Sequence, residues 1–410
     1  MAHFSKPAEG SWTEHFGLDT GPVSYADSIS ADHYELEREA IFKKTWLNVG
    51  RVEQLGRNGS YVTKDTTGEI RAFHNICRHR GNKLVWQDYP NEETSGAVRQ
   101  FTCKYHGWRY GLDGGCTFVQ QESEFFDLDK GTLGLAQVRC EVWAGFIFVN
   151  LDKSDTTPLA DYMGELGAGI ANYPFEKFTQ VFKYRAEVKS NWKLFIDAFA
   201  EFYHAPVLHA KQAVNEESKK LQGVGYEALA YDVDGPHSMV SSWGGMAPPK
   251  DLEMVKPIER VLHSGLFGPW EGPELGDLED IAPGLNPARH KAWGVDSFVF
   301  FPNFMLLIWK PGWYLTYHYW PTAHNRLIFE ANAYFCPPRS VRERLAQQLG
   351  IATIKEYALQ DCGTLEATQM GLESRVVSAF PLGDQEIMCR HLNKVVNDWV
   401  RDYRSSRAEV

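Results

Sequence analysis

Asp197, Glu201, His204 and His209 fall within one stretch, Asn191-Trp-Lys-Leu-Phe-Ile-Asp197-Ala-Phe-Ala-Glu201-Phe-Tyr-His204-Ala-Pro206-Val-Leu-His209. On a continuous helix, at about 100° per residue, Glu201 lies about 40° from Asp197 and His204 about 20° to its other side. Two carboxylates and an imidazole would then share a stripe interleaved with Trp192, Phe195, Phe199 and Tyr203. Burying such groups is costly unless they are paired or bind a metal. His209 falls about 120° away on an unbroken helix, but Pro206 stands between the two histidines and is expected to break or kink it. Both imidazoles could then reach one ion. A helix end with two satisfied histidines is the plainer reading of His-x4-His alone.

A second donor set lies upstream. His74-Asn-Ile-Cys77-Arg-His79-Arg-Gly81 is matched by Phe101-Thr-Cys103-Lys-Tyr-His106-Gly107-Trp108. Two cysteines and two histidines in two loops make a four-ligand site. Tetrahedral zinc takes such a set; so does a Rieske-type [2Fe-2S] cluster, with Cys on one iron and His on the other. Cys-x-His is an unusual opening for a zinc finger. Gly81 and Gly107 follow the loops and would let backbone N–H groups approach cluster sulfurs.

The elements that must position these groups follow from hydrophobic period and turn signals. Residues 1–30 read as an irregular arm, and Ser30 to Trp46 has helical spacing. Short strands are predicted at Leu47–Val52, Ile70–His74, Val98–Thr102, Thr117–Val119, Val138–Val142 and Phe146–Asn150, separated by glycine-rich turns. A strand at Val181–Val188 precedes the Asp197 helix. Residues 212–290 show little periodicity. Ser297–Phe301, Phe304–Trp309, Trp313–Tyr319 and Leu327–Phe335 alternate with turn signals and read as an antiparallel meander. Ser340-x-x-Glu343 is a capping box opening a long helix to about Gly371. A final amphipathic helix runs from about Gln385 to Tyr403.

With 410 residues, 43% hydrophobic and 23% charged, the composition is that of an ordinary globular protein with room for two or three domains. A net charge of −11 argues against nucleic acid as the main partner. The first residues resemble no signal peptide, and no run approaches 18 apolar residues, so neither export nor a membrane span is expected. Seven scattered cysteines suit a reducing cytoplasm better than a disulfide framework.

Cys-x-His-Arg-x-Gly, Cys-x-Tyr-His-Gly-Trp, Asn-Trp-Lys and Glu-x-Tyr-His-x4-His occur here in one order. In this the chain resembles, over nearly its whole length, the large (α) subunit of Rieske non-heme iron ring-hydroxylating oxygenases. The resemblance implies an α+β fold. A small all-β Rieske domain (47–155) would be inserted in a catalytic domain (1–46 and 156–410) whose antiparallel sheet is flanked by helices, helix-grip or START-like. It implies that Cys77 and Cys103 ligate one cluster iron, and His79 and His106 the other. His204 and His209 would ligate a mononuclear Fe(II) with a late carboxylate, Asp361 in Leu359-Gln-Asp361, or Glu366 as the alternative. Glu201 stands where the family has a carboxylate bridging a cluster histidine of one subunit to an iron-ligand histidine of the next. Asp197 would support Glu201 or a ligand histidine. The loops lack the extra cysteines of high-potential Rieske proteins; Asn82 and Tyr105 stand nearby instead, which implies a lower potential.

The family role implied is a terminal oxygenase taking electrons from an NAD(P)H-dependent reductase, directly or through a ferredoxin. It would mono- or dioxygenate a hydrophobic aromatic or alicyclic molecule, as in aromatic hydrocarbon catabolism, and assemble as a homotrimer with or without a small β subunit. Phe202, Leu208, Phe300, Phe304, Leu306, Trp309 and Tyr317 are expected pocket walls. Glu201 also resembles members that oxidise quaternary ammonium compounds, for which aromatic walls would make a cation cage. A Rieske electron carrier without oxygenase activity would need only the first 155 residues. Three departures stand out: 23 residues between His79 and Cys103, giving a longer exposed loop over Gln87–Ser95; a strand missing or compressed into Val62–Gly68; and Ala198 where many relatives have Asn.

Overall fold

The computed structural model describes residues 10–55, 60–61, 70–86, 95–209, 228–242, 255–265, 268–291, 293–377 and 379–408. The compressed segment 62–68 and residues 87–94 of the long loop lie outside them. The chain divides into two compact units, Lys43–Tyr162 and the combination of Met1–Phe42 with Met163–Val410.

Helix α1 (Ala31–Glu37) starts at Ser30, whose Oγ accepts the His33 N–H at 3.1 Å, and passes into a π-turn at Arg38–Phe42. The helix predicted through Trp46 therefore stops four residues early. Trp46 instead opens a strand, where its large ring is fully buried.

Besides a short antiparallel pair, Ser60–Tyr61 with Gly96–Ala97, the described strands of the Lys43–Tyr162 unit are β1 (Trp46–Arg51), β2 (Ala72–Phe73), β3 (Phe101–Thr102), β4 (Arg109–Tyr110), β5 (Cys116–Phe118), β6 (Gln137–Trp143) and β7 (Phe146–Asn150). They form two antiparallel sheets, ordered β1-β7-β6-β2 and β3-β4-β5. Cys77 and Cys103 are buried in one small core with Leu84, Phe101, Trp108 and Tyr110. The two Cys/His loops are thus part of what this module folds around.

The other unit is built on a seven-stranded antiparallel sheet. Its strands are β8 (Gln180–Val188), β9 (Ala228–Asp234), β10 (His237–Ser242), β11 (Val295–Phe300), β12 (Phe304–Trp309), β13 (Trp313–Ala323) and β14 (Arg326–Phe335), in spatial order β8-β14-β13-β12-β11-β10-β9. Between β8 and β9 come α2 (Trp192–Phe199) and α3 (Ala205–Leu208); after β14 come α4 (Val341–Glu373) and α5 (Ile387–Ala408). The meander is as predicted. Strands β11 and β12 are buried at every position, so neither alternates: β12 reads as an unbroken apolar run, and β11 buries Asp296 and Ser297 beside its apolar residues. Met305, Leu307, Trp309, Leu315, Tyr317 and Tyr319 pack into one core with Phe195 of α2, Leu365 of α4 and Val396 of α5.

The β9–β10 hairpin corrects the reading of 212–290 as irregular. Its two-residue turn is Gly235-Pro236, with Gly235 at φ +54°, a hairpin signal obscured in sequence by the polar second strand, His237–Ser242. Helix α4 has half of the expected capping box. Ser340 Oγ accepts the Glu343 N–H at 3.1 Å, but the Glu343 carboxylate accepts from Arg339 backbone and guanidinium instead of Ser340. The N-terminal arm is tied to the far end of the chain. Asp384 accepts the N–H groups of Trp12 and Thr13, Arg390 donates to the carbonyls of Asp19 and Gly21, and Val23–Ser24 pairs with Ala379–Phe380. No helix among the described residues is long and apolar enough to cross a membrane.

Candidate metal centres

Asn-Trp-Lys fixes the start of α2. The Asn191 side chain accepts the Lys193 N–H at 3.0 Å, capping the helix, while the Asn191 N–H is held by Gln369 of α4 at 2.9 Å. Trp192 Nε1 donates to Glu37 of α1 at 2.8 Å, and the buried Lys193 ammonium pairs with Glu37 and lies 3.3 Å from Asp27. Asp27, His33 and Glu37 converge closely enough for a metal, but the Lys193 ammonium already stands against both carboxylates. Phe195 and Phe199 then press α2 onto the sheet, with ring centroids 4.6 Å from Phe329 and from Tyr317, respectively.

Helix α2 ends at Phe199, so Asp197, Glu201 and His204 do not share one continuous stripe as predicted. The break falls before Glu201, not at Pro206. Pro206 lies in the first turn of α3, where its missing N–H costs nothing. Glu201 makes the new start: its Oε2 accepts the His204 N–H at 3.1 Å, and its Oε1 holds His204 Nδ1 at 2.5 Å. Gln360 Oε1 holds His209 Nδ1 at 2.7 Å. Each imidazole is thereby fixed through Nδ1, leaving both Nε2 atoms towards Asp361 Oδ1, at 3.7 Å from His204 and 3.5 Å from His209.

Asp361 lies 2% exposed on the buried stripe of α4, between Ile354 and Leu365, and its Oδ1 has no hydrogen-bond partner. Burial pushes its carboxyl up to about 7 against the opposing pull of His204. Burial lowers His209, with Gln360 opposing. For His204 burial also lowers the pKa, but the Glu201 hydrogen bond and charge, with Asp361, outweigh it and raise it. The three donor atoms lie within 4.8 Å of one another, and donors about 2.1 Å from one ion lie about 3 Å apart. Two imidazoles oriented from behind and an orphaned carboxylate oxygen fit a divalent metal. Glu366, the alternative carboxylate, is engaged elsewhere, accepting the Lys189 N–H at 3.0 Å. Gln360 was not assigned a role from sequence; its adjacency to Asp361 was the available signal.

A cavity of about 310 Å³ adjoins this triad, lined by Tyr25, Leu194, Asp197, Glu201, Leu208, Phe380 and Glu386 among others. Of the expected pocket walls only Leu208 lines it among the described residues. Phe300 stacks between Phe298 and Phe304 along the sheet, and Tyr317 packs against Phe199 and Phe329, so these are core residues. Asp197 bonds to neither Glu201 nor a histidine of the triad; its Oδ2 accepts the Tyr25 hydroxyl at 2.8 Å.

The loops of the Cys/His set are copies of one turn. Cys77 N–H donates to Asn82 O and Gly81 N–H to Cys77 O; Cys103 N–H donates to Trp108 O and Gly107 N–H to Cys103 O, all within 2.8–3.1 Å. Gly81 and Gly107 take φ of +75° and +73°, a backbone that favours glycine. Their own amides close the turns, and the backbone N–H groups that approach sulfur, as expected, are those of His79 at Cys77 and of Tyr105 and His106 at Cys103. Side chains approach the sulfurs as well: the Tyr110 hydroxyl lies 3.2 Å from Cys77 Sγ and Asn82 Nδ2 3.9 Å from Cys103 Sγ. Burial raises the Cys103 thiol, but the N–H groups of Tyr105 and His106, with Cys77 and Asn82, pull it below its ordinary value. His79 and His106 face each other with ring centroids 4.6 Å apart, and His79 Nδ1 is buried without a partner. Among the described residues, no three of these four donors converge within 4.8 Å as the triad does. A single tetrahedral zinc needs such convergence; a cluster that spans the gap does not.

Two known families match. Residues 43–140 match the Rieske [2Fe-2S] domain and residues 175–402 the ring hydroxylating alpha subunit (catalytic domain). The chain is 33% identical over 193 residues to the chloroplastic choline monooxygenase of Beta vulgaris, covering 43% of this chain and 42% of that one. It is 29% identical over 198 residues to the carnitine monooxygenase oxygenase subunit of Escherichia coli (strain K12), covering 45% and 50%. The alignments thus span about half the length of these relatives. In structure it is similar to the quaternary ammonium Rieske monooxygenase CntA in complex with gamma-butyrobetaine, with a TM-score of 0.70, 17% identity and coverage of 96% and 99%. It is also similar to naphthalene 1,2-dioxygenase from Rhodococcus sp. bound to indole, with a TM-score of 0.68, 18% identity and coverage of 92% and 94%. At these identities the structures share the fold.

Proposed function

We propose that this chain, which belongs to the ring hydroxylating alpha subunit family, is the terminal component of an oxygenase. It uses O2 and electrons from an NAD(P)H-dependent reductase, directly or through a ferredoxin, to hydroxylate a small apolar aromatic or alicyclic molecule. The observation that carries this is the presence of two separate donor sets in one chain, one matched to a cluster and one to a single ion. Cys77, His79, Cys103 and His106 hold the cluster in a domain of residues 47–155. His204, His209 and Asp361 hold the mononuclear iron in a catalytic domain of residues 1–46 and 156–410. The cluster supplies single electrons and the mononuclear iron the oxygen-activating chemistry. Glu201 sets the His204 tautomer and offers a bridge to a neighbouring subunit's cluster histidine, which suits a homotrimer. Seven free cysteines suit the cytoplasm.

A quaternary ammonium substrate is the second reading. The cavity wall favours it: Asp197, Glu201, Asp361 and Glu386 line it, with no Lys or Arg among the described lining residues. The test is iron content and visible absorption of protein purified without oxygen, then O2 uptake with reduced carrier across arenes, alicyclic compounds and quaternary ammonium compounds. Roughly three irons per chain and a red-brown colour are expected, with uptake coupled to product from one substrate class. A colourless protein with one zinc would sink the oxygenase reading, and two irons without uptake would leave an electron carrier.

A further inference from the structure

The described wall of the triad's cavity carries four carboxylates, and three of them are already engaged. Both oxygens of Glu201 are taken by His204. Asp361 faces the Nε2 atoms of the two histidines. Asp197 accepts the Tyr25 hydroxyl on Oδ2, and its Oδ1 is sealed from water. Glu386, the residue before α5, is the fourth. Its Oε2 accepts the Gly383 N–H at 2.5 Å, while its Oε1 takes no hydrogen bond among the described residues and stays open to water. Arg390, on the first turn of α5, attracts this carboxylate, but its terminal nitrogens donate to the carbonyls of Asp19, Thr20, Gly21 and Leu382 instead.

Most of the remaining wall is apolar, with Leu194, Leu208, Leu365, Leu372 and Leu382 among its residues, and no Lys or Arg stands among those described. A carboxylate oxygen in such surroundings lacks a partner that a charged donor on a ligand would supply. A quaternary ammonium has no N–H to offer and is held by ring faces. Besides His204, the described wall has two aromatic rings, Tyr25 and Phe380, and these pack edge to face on each other at 5.8 Å, so they make no cage. We propose that Glu386 Oε1 anchors a protonated amine, so that this site takes a small molecule with an apolar body and one N–H-bearing cationic nitrogen. At about 310 Å³ the cavity stands at the small end of ligand pockets, which run from about 300 to 1,000 Å³.

The anchor's role in catalysis rests on the oxygenase reading; the binding itself does not. Glu201 adds a second negative charge to the field at Glu386, so the cavity favours a cation there over a neutral molecule of the same shape. A molecule tethered at its nitrogen can bring only certain carbons to the triad. Glu386 thus selects the substrate by its charge, and the distance from the nitrogen selects the carbon that is oxidised.

The test begins without turnover, on the metal-loaded full-length chain free of O2 at neutral pH. Three probes of related shape are compared by calorimetry: protonated N,N-dimethylbenzylamine, its neutral isostere isobutylbenzene, and benzyltrimethylammonium. The amine is expected to bind about 10–100-fold more tightly than either of the others. In Glu386→Gln, whose side chain can still accept the Gly383 N–H, the amine should fall to the level of isobutylbenzene with metal content unchanged. An amine that binds no tighter than isobutylbenzene, or a preference that survives Glu386→Gln, would overturn the anchor. Benzyltrimethylammonium binding as tightly as the amine would overturn the N–H assignment, and the wild-type ranking decides this even where the variant fails to fold. Reduced wild-type protein is then given O2 with each probe. Preference for the amine without O2 uptake would sink the oxygenase reading and leave the anchor standing. Product from isobutylbenzene with no preference for the amine would bear out the oxygenase and sink the anchor.

Discussion

The two donor sets are built on opposite plans. In the β module, each half of the set comes from one loop of a few residues, closed by its own backbone and by glycines at positive φ. In the catalytic unit, the triad needs the break between α2 and α3 and a single side chain on α4, held by partners from other segments. A locally closed site depends on its own turn. A site assembled across the chain depends on everything that positions its parts.

Replacing ligands tests this difference with the largest effect. Cys103→Ala is expected to abolish the visible chromophore while mononuclear metal is kept, and His204→Ala to lose one metal per chain and keep the colour. Both should abolish product formation, checked by metal analysis alongside absorption. Loss of both metals in either variant would mean the sites are not independent. Next in size, Phe195→Ala removes the ring that presses α2 onto Phe329 and should cost about 3–5 kcal/mol. Chemical denaturation followed by far-ultraviolet dichroism should show it, with the cluster absorption of the folded protein unchanged.

One buried histidine gives the catalytic unit a contribution of its own that acid removes. His391 is buried on α5, and burial pulls its pKa down to about 4, opposed by the Gly235 carbonyl. In the window between about 6.5 and 4 the unfolded chain binds the extra proton, so stability is present above it and lost as pH falls. The loss is on the order of 3 kcal/mol and should shrink in His391→Gln, measured by denaturant midpoints across pH. Gln360→Ala, which frees His209 Nδ1, should weaken mononuclear metal binding by about 10–100-fold in a chelator competition. Smallest of all, Tyr110→Phe removes the hydroxyl beside Cys77 Sγ and should lower the cluster potential in a redox titration, with the mononuclear metal retained.

The same contrast explains what sequence could tell. Cys-x-His and Cys-x2-His stand out in sequence because a loop keeps its candidate donors within a few residues of each other. Asp361 was legible only as a carboxylate on a helix, and its place on a buried stripe separates it from Glu366, whose carboxylate answers the Lys189 N–H. The early end of α2 was not legible, since 200–203 contains neither Gly nor Pro and the new start depends on where the Glu201 side chain reaches. The expected aromatic pocket failed for a related reason. A sheet buried on both sides leaves no alternation to read, so β11 and β12 say nothing about which face meets a cavity.

The tie between the N-terminal arm and Ala379–Phe380 bears on how the protein is made. On the ribosome, the strand at Val23–Ser24 emerges long before its partner, roughly 20–70 s earlier at ordinary rates of synthesis. The Lys43–Tyr162 module has all of its strands in hand by then. Its iron can be loaded while the catalytic unit still lacks α4 and α5, and the backbone partners of residues 12–24, at 379–390, arrive only when translation is nearly over.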